Sequence, residues 1–264
     1  MRGYFSTMTT RGLVAVCALL GAGAFAQGRP AQNQRGGAAQ AGQEGGRGAG
    51  QARPGEVVAP LYLKVEWVRP PSQTGQVPVI QQNIINPDVE MKWYGAAAKK
   101  LLTTGTPWSD VAPFGVWSGE CDGPFAITFR LKDSYVDMTG QANVRWYVKT
   151  SGFHVVRPVV KLTDGTMLVA DLSFDSVPML TEHEFSLLGL RWLKLDPDRV
   201  VTLGRNPAPA NEIWVPEPDL SKVDEIGFVD LMPSSGHGTG GYIQLGNIEV
   251  YGKAVPRTMT SSAR

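Results

Sequence analysis

The stretch VDEIGFVDLMPSSGHGTGGYIQLGNIEVYGK, Val223–Lys253, decides how the rest of the chain reads. Two strand-like runs, Glu225–Asp230 and Tyr242–Tyr251, flank a loop of small residues that carries His237 between two glycines. A phosphate cradle needs a Lys-Ser/Thr pair and a helix opening behind the glycines, so that amides and dipole converge on the anion. Here a strand follows, and the loop reads as the connection between two strands. The second run changes phase: Ile243 and Leu245 have one parity, Ile248 and Val250 the other. A β-bulge at Gly246-Asn247 restores a single core face.

The same two-residue period recurs upstream. Leu63, Val65 and Trp67 alternate with polar neighbours, as do Val89, Met91 and Trp93, then Phe125–Leu131, then Val144, Trp146 and Val148. Such runs are half-buried antiparallel strands. Further strands are expected at His154–Leu162, Thr166–Asp171, Leu190–Leu195 and Val200–Leu203, with Asp164-Gly165 as a hairpin turn. Only Ala96–Leu102 has room for a turn or two of helix. Many short strands with little or no helix predict an all-β protein, a two-sheet antiparallel β-sandwich or jelly roll.

The N-terminus reads differently. Arg2 and Arg11 precede the apolar run Leu13–Ala22 and the small-x-small site Ala24-Phe25-Ala26. Residues 1–26 therefore read as a signal for export to the periplasm or beyond, the run being too short to span a bilayer. Residues 27–55 hold no large apolar side chain and read as a disordered Gly/Ala/Gln/Arg linker. Residues 56–256 form one domain, and 257–264 a disordered tail. Of 25 Lys+Arg and 24 Asp+Glu in the chain, 19 and 23 lie beyond residue 55. A mildly acidic globular part argues against nucleic acid as a partner. Cys17 leaves with the signal, so Cys121 is the one cysteine of the mature chain; a half-buried thiol is its expected state.

Candidate functional residues come from three signals. Seven tryptophans invite a sugar-stacking reading, since an indole packs on the apolar face of a pyranose. Trp67, Trp93 and Trp146 share parity with aliphatic residues and belong to the core. Trp108 and Trp117, in a loop-rich segment, and Trp192, ahead of Lys194, are candidate platforms. His237 titrates near neutrality and is a candidate ligand or acid–base group, whereas His154, in phase with Val156 and Val160, is expected buried and hydrogen-bonded. The three histidines do not form a zinc spacing. Finally, if Ser151-Gly152 is a tight hairpin, Arg145 faces Arg157 on the side of the strands away from Trp146, with Tyr147 and Lys161 alongside. Opposed like charges need a partner, either a neighbouring acid or a hydroxyl-rich ligand. For glycosidase chemistry two carboxylates must face one cleft, and Glu225 and Asp230, five apart, face opposite sides of a strand.

The segment PDLSKVDEIGF followed by YIQLGNIEVYG resembles the closing strands of galactose-binding-like jelly rolls, among them carbohydrate-binding modules of the family 11 and 30 type. ANVRWYVKTSGFHVVRPVVKLTDGTMLVAD is similar to their central hairpins. The resemblance spans residues 57–255. It implies a sandwich and a carbohydrate ligand. Many such modules hold a structural calcium, but Asn247 stands where an aspartate is common, so no cofactor is carried over. A weaker similarity, to secreted 3-keto-glycoside hydrolase domains, lacks their opening motif and transfers no catalytic residue. The expectation is an exported, non-catalytic carbohydrate-binding sandwich. The alternatives are a glycoside-acting hydrolase or lyase of the same fold, and a structural envelope protein.

Overall fold

The computed structural model describes residues 58–106, 113–175, 177–203, 214–232 and 241–257. All belong to the unit Gln51–Arg264. Residues 1–26 and 27–55, read as signal and linker, lie outside the described residues, as do Trp108, His237 and all of the expected tail 257–264 except Arg257, whose N–H donates to the Asp133 carbonyl at 2.9 Å.

Among the described residues sixteen strands follow in chain order: β1 Leu61–Val65, β2 Val89–Tyr94, β3 Leu102–Thr104, β4 Gly115–Trp117, β5 Phe125–Leu131, β6 Ser134–Asp137, β7 Asn143–Thr150 and β8 Val156–Leu162; then β9 Met167–Ala170, β10 Thr181–Ser186, β11 Trp192–Asp196, β12 Val201–Thr202, β13 Trp214–Val215, β14 Val223–Asp230, β15 Ile243–Tyr251 and β16 Lys253–Pro256. Among the described residues, helix is limited to 3-10 turns at Gln81–Asn83 and Ala96–Lys100. The strands form two antiparallel sheets, one of six strands in the order β10-β7-β15-β4-β3 with β1 also on β15, and one of ten strands along β12-β11-β9-β8-β14-β5-β2. The protein is an all-β sandwich.

Alternation builds the core between the sheets. Val144, Trp146 and Val148 point inward from one sheet, and Phe125, Ile127, Phe129 and Phe228 from the other. Trp146 packs on Phe185 at 4.6 Å and Phe174 at 5.0 Å between centroids. The bulge in β15 is present: Leu245 pairs with Val148 and Ile248 with Trp146, so three steps on one strand match two on the other. Ile243, Leu245, Ile248 and Val250 are all buried as a result. The Gly246 carbonyl accepts a 2.8 Å hydrogen bond from Trp67 Nε1, which satisfies a core indole through the bulge.

The Asp164-Gly165 hairpin forms between β8 and β9, with Gly165 at φ 87°, where a side chain would be strained. The Ser151-Gly152 turn does not join a hairpin. β7 lies between β10 and β15, whereas β8 lies between β9 and β14 in the other sheet. The chain crosses the sandwich there, and His154 anchors the crossing. His154 and Asp230 are each 1% exposed, with Nδ1 and Oδ2 2.5 Å apart. This bears out the expected buried, hydrogen-bonded histidine.

Candidate functional site

The two outer faces differ in chemistry. On the ten-stranded sheet the outward side chains form a second apolar cluster, Ala126, Val159, Met167, Val169, Leu195, Val200 and Val229, with Tyr94 packed against it. Inside this apolar setting sits one polar knot. Glu225, 2% exposed, accepts from Tyr94 Oη at 2.7 Å and from Thr128 Oγ1 at 2.5 Å, and Lys161 Nζ lies 3.3 Å from its other oxygen. Every oxygen of the buried carboxylate is occupied, which is what burial of a charge requires. Burial pushes the Tyr94 phenol up to about 12. Burial works against the Lys161 ammonium, but its bonds to Tyr94 and Glu225 outweigh that and raise its pKa.

The six-stranded sheet instead turns polar and aromatic residues outward. β7 presents Arg145, Tyr147 and Lys149, β15 presents Gln244, Glu249 and Tyr251, and β10 presents Glu182 and Glu184. Trp117 faces outward from β4 opposite Gln244. One half of this face is aromatic. Trp117 and Tyr242 have ring centroids 5.9 Å apart and planes inclined by 58°, and Lys149 Nζ lies 5.4 Å from the Tyr242 ring. Tyr147, 36% exposed, lies on the same face of β7 between Arg145 and Lys149, and pairs across to Glu182. The other half is ionic. Arg145 Nη2 donates to Glu184 at 3.0 Å, with Glu182 and Glu249 each at 3.6 Å and the Tyr251 ring 5.5 Å below. The bond to Glu184 is the main reason the Arg145 guanidinium is held above its ordinary pKa. The Tyr147 phenol is raised chiefly by its bond to Glu182, and that of Tyr251 by its bond to Glu249.

The expected cluster of Arg145, Tyr147, Arg157 and Lys161 is therefore divided. Arg145 and Tyr147 share the outer face of the six-stranded sheet. Arg157 lies opposite Val229, donates to the Asp171 carbonyl at 3.0 Å, and shares the opposite face of the sandwich with Lys161. The cause is the crossing at Ser151-Gly152. Outward residues of successive strands end on opposite sides when the strands belong to different sheets. Arg145 finds its compensation in three glutamates of flanking strands, so no arginine opposes it. Trp192 is 1% exposed and packs inward, forming one wall of a cavity of about 510 Å³ with Trp214 and Leu220. It presents no open platform. Trp117 does reach the surface of the face. Glu225 and Asp230 point to opposite sides of β14, as their spacing implies.

Tyr242, Lys149, Gln244 and Tyr251 are members of the face that the reading of the sequence passed over. Their signal was present. Tyr242 and Gln244 alternate with buried Ile243 and Leu245, and Lys149 alternates with Val148 and Thr150.

No protein-family model matches the chain, and no curated protein does. Among solved structures, the family 11 carbohydrate-binding module from Clostridium thermocellum in complex with a β-1,3-1,4-mixed-linked tetrasaccharide is similar at 15% identity over 69% of this chain and 98% of that one, with a TM-score of 0.38. The family 11 module of the cellulosomal cellulase Lic26A-Cel5E from the same organism gives 16% identity over 69% and 97%, with a TM-score of 0.36. An exo-β-agarase gives 12% identity over 70% of this chain, with a TM-score of 0.35, and this chain spans 26% of its length. These are likenesses of fold.

Proposed function

We propose that the protein is an exported carbohydrate-binding β-sandwich whose ligand lies across the outer face of the six-stranded sheet. The observation that carries this reading is the pair of rings Trp117 and Tyr242 on the outer sheet face, beside Gln244 and Lys149, with Tyr147 and Arg145 farther along the same face of β7. Rings of this kind pack on the apolar faces of sugars, and the flanking polar groups meet the hydroxyls. Backbone strands hold the rings, so little ordering cost is left for binding. Because the Trp117 and Tyr242 planes are inclined by 58°, both cannot lie on one flat crystal surface. A single, soluble glycan chain that bends between them fits better. The sequence 1–26, with its basic, apolar and small-x-small parts, supports export, and residues 27–55 serve as the tether.

Binding without turnover is favoured over glycoside chemistry because the buried acids are committed elsewhere. Glu225 is held by Tyr94, Thr128 and Lys161, and Asp230 by His154, on opposite sides of one strand. The test is a screen of the purified protein against soluble oligosaccharides and against the matching insoluble polysaccharides. Retention by soluble chains supports the reading. Release of reducing sugar from any of them would favour the enzyme instead.

A further inference from the structure

The Trp117 ring of this face rests on a glycine. A Cβ at Gly119 would come 1.9 Å from Cζ2 of Trp117, with two more indole atoms within 2.4 Å. A Cβ at Gly246 would come 2.9 Å from the Tyr147 Cβ and 3.7 Å from its Cγ. At Gly119 the three nearest atoms all belong to the indole; at Gly246 the third is a Leu180 methyl. Neither glycine needs its own conformational freedom, since neither is among those with positive φ. The chain around Gly119 is fixed by other bonds. Ser118 N donates to the Ile243 carbonyl at 3.0 Å, Ile243 N donates to Ser118 Oγ at 2.8 Å, and Cys121 N closes the turn onto the Ser118 carbonyl at 2.8 Å. Trp117 therefore cannot escape a larger residue at 119 by moving its backbone. Its ring must swing.

We infer that Gly119 is a positioning residue of the face: the missing Cβ lets the Trp117 indole settle against the sheet, and so sets the tilt at which it meets a sugar. The inference rests on the carbohydrate reading for its purpose but not for its geometry. At Gly119 the tilt passes onward, because Trp117 leans on Tyr242 and Tyr242 carries Lys149. At Gly246 the near atom is the Tyr147 Cβ, which no rotation of the ring moves, so that glycine lets β15 lie close to β7 and sets no tilt.

The test compares Gly119→Ala, Trp117→Ala and the double variant. Near-ultraviolet circular dichroism reports the Trp117 environment without a ligand. Titration with cellohexaose, laminarihexaose and agarohexaose reports binding. Gly119→Ala should melt with the wild type, change the near-ultraviolet spectrum, and weaken whichever oligosaccharide binds by about tenfold, the worth of one aromatic contact. In the Trp117→Ala background the same substitution should change neither spectrum nor affinity. Three results would overturn the inference: an unchanged spectrum, an equal effect with the indole absent, or loss of the folded state in Gly119→Ala. If Trp117→Ala itself leaves binding intact, the carbohydrate reading of this face fails while the spectra still judge the role of Gly119.

Discussion

His154 and Asp230 illustrate how a single buried pair pins the start of β8 onto the end of β14 after the chain has crossed the sandwich. Both are 1% exposed, and Asp230 Oδ1 also accepts from Met232 N at 2.9 Å. Replacing His154 by Ala leaves a carboxylate buried without its main partner, which costs about 3–5 kcal/mol. Urea denaturation should show this loss, and an unchanged midpoint would mean that Asp230 finds water. Tyr94 makes a second case. Its phenol, ordinarily near 10.0, is pushed up to about 12 in the folded state, first by burial. The folded value exceeds the unfolded one, so this contribution is complete below the ordinary value and is lost as pH rises through about 12. Lys161 is shifted the same way and fades over the same alkaline side. Stability measured by urea at a series of alkaline pH values should therefore fall across that window. Tyr94→Phe should make the fall shallower; an identical slope would remove Tyr94 from the account.

The bulge at Gly246-Asn247 governs β15, the central strand of the six-stranded sheet. Deleting Asn247 shifts every following residue to the other face. Ile248 and Val250 would leave the core, and their burial is worth roughly 3–6 kcal/mol together. That is comparable with the whole stability of a domain, so the deletion should abolish cooperative unfolding and ordered amide signals. A folded deletion variant would contradict the register. This device was legible because a parity change around Gly-Asn has one economical explanation. The hairpin at Ser151-Gly152 was misread for a physical reason: turn residues say that the chain reverses, not which sheet it enters next. β10 escaped notice because only His183 and Phe185 of its six residues face inward, too few to make an apolar rhythm. Trp192 misled because Lys194, two residues on, shares its parity, and a charged neighbour at a strand's exposed end says little about the ring beside it.

At the scale of the molecule, one sandwich presents two unlike outer surfaces, one sealed over with aliphatic residues and one open with rings and hydrogen-bonding groups. The face of rings was half legible in the sequence. Alternation placed Arg145 and Tyr147 outward, but only the pairing of β4 and β10 with their neighbours brings Trp117, Tyr242 and the glutamates to the same surface. On the export reading, N-terminal sequencing of secreted protein should begin at Gln27; an intact Met1 would contradict it.

The central claim, that this open face binds carbohydrate, is tested most directly by calorimetric titration of the wild type and a Trp117→Ala/Tyr242→Ala double variant with soluble oligosaccharides. Both should melt alike, because the rings stand on the surface. The account predicts that at least one oligosaccharide binds the wild type and that the double variant loses it by about tenfold or more, the worth of one to two aromatic contacts. Equal affinity in the two proteins would contradict it.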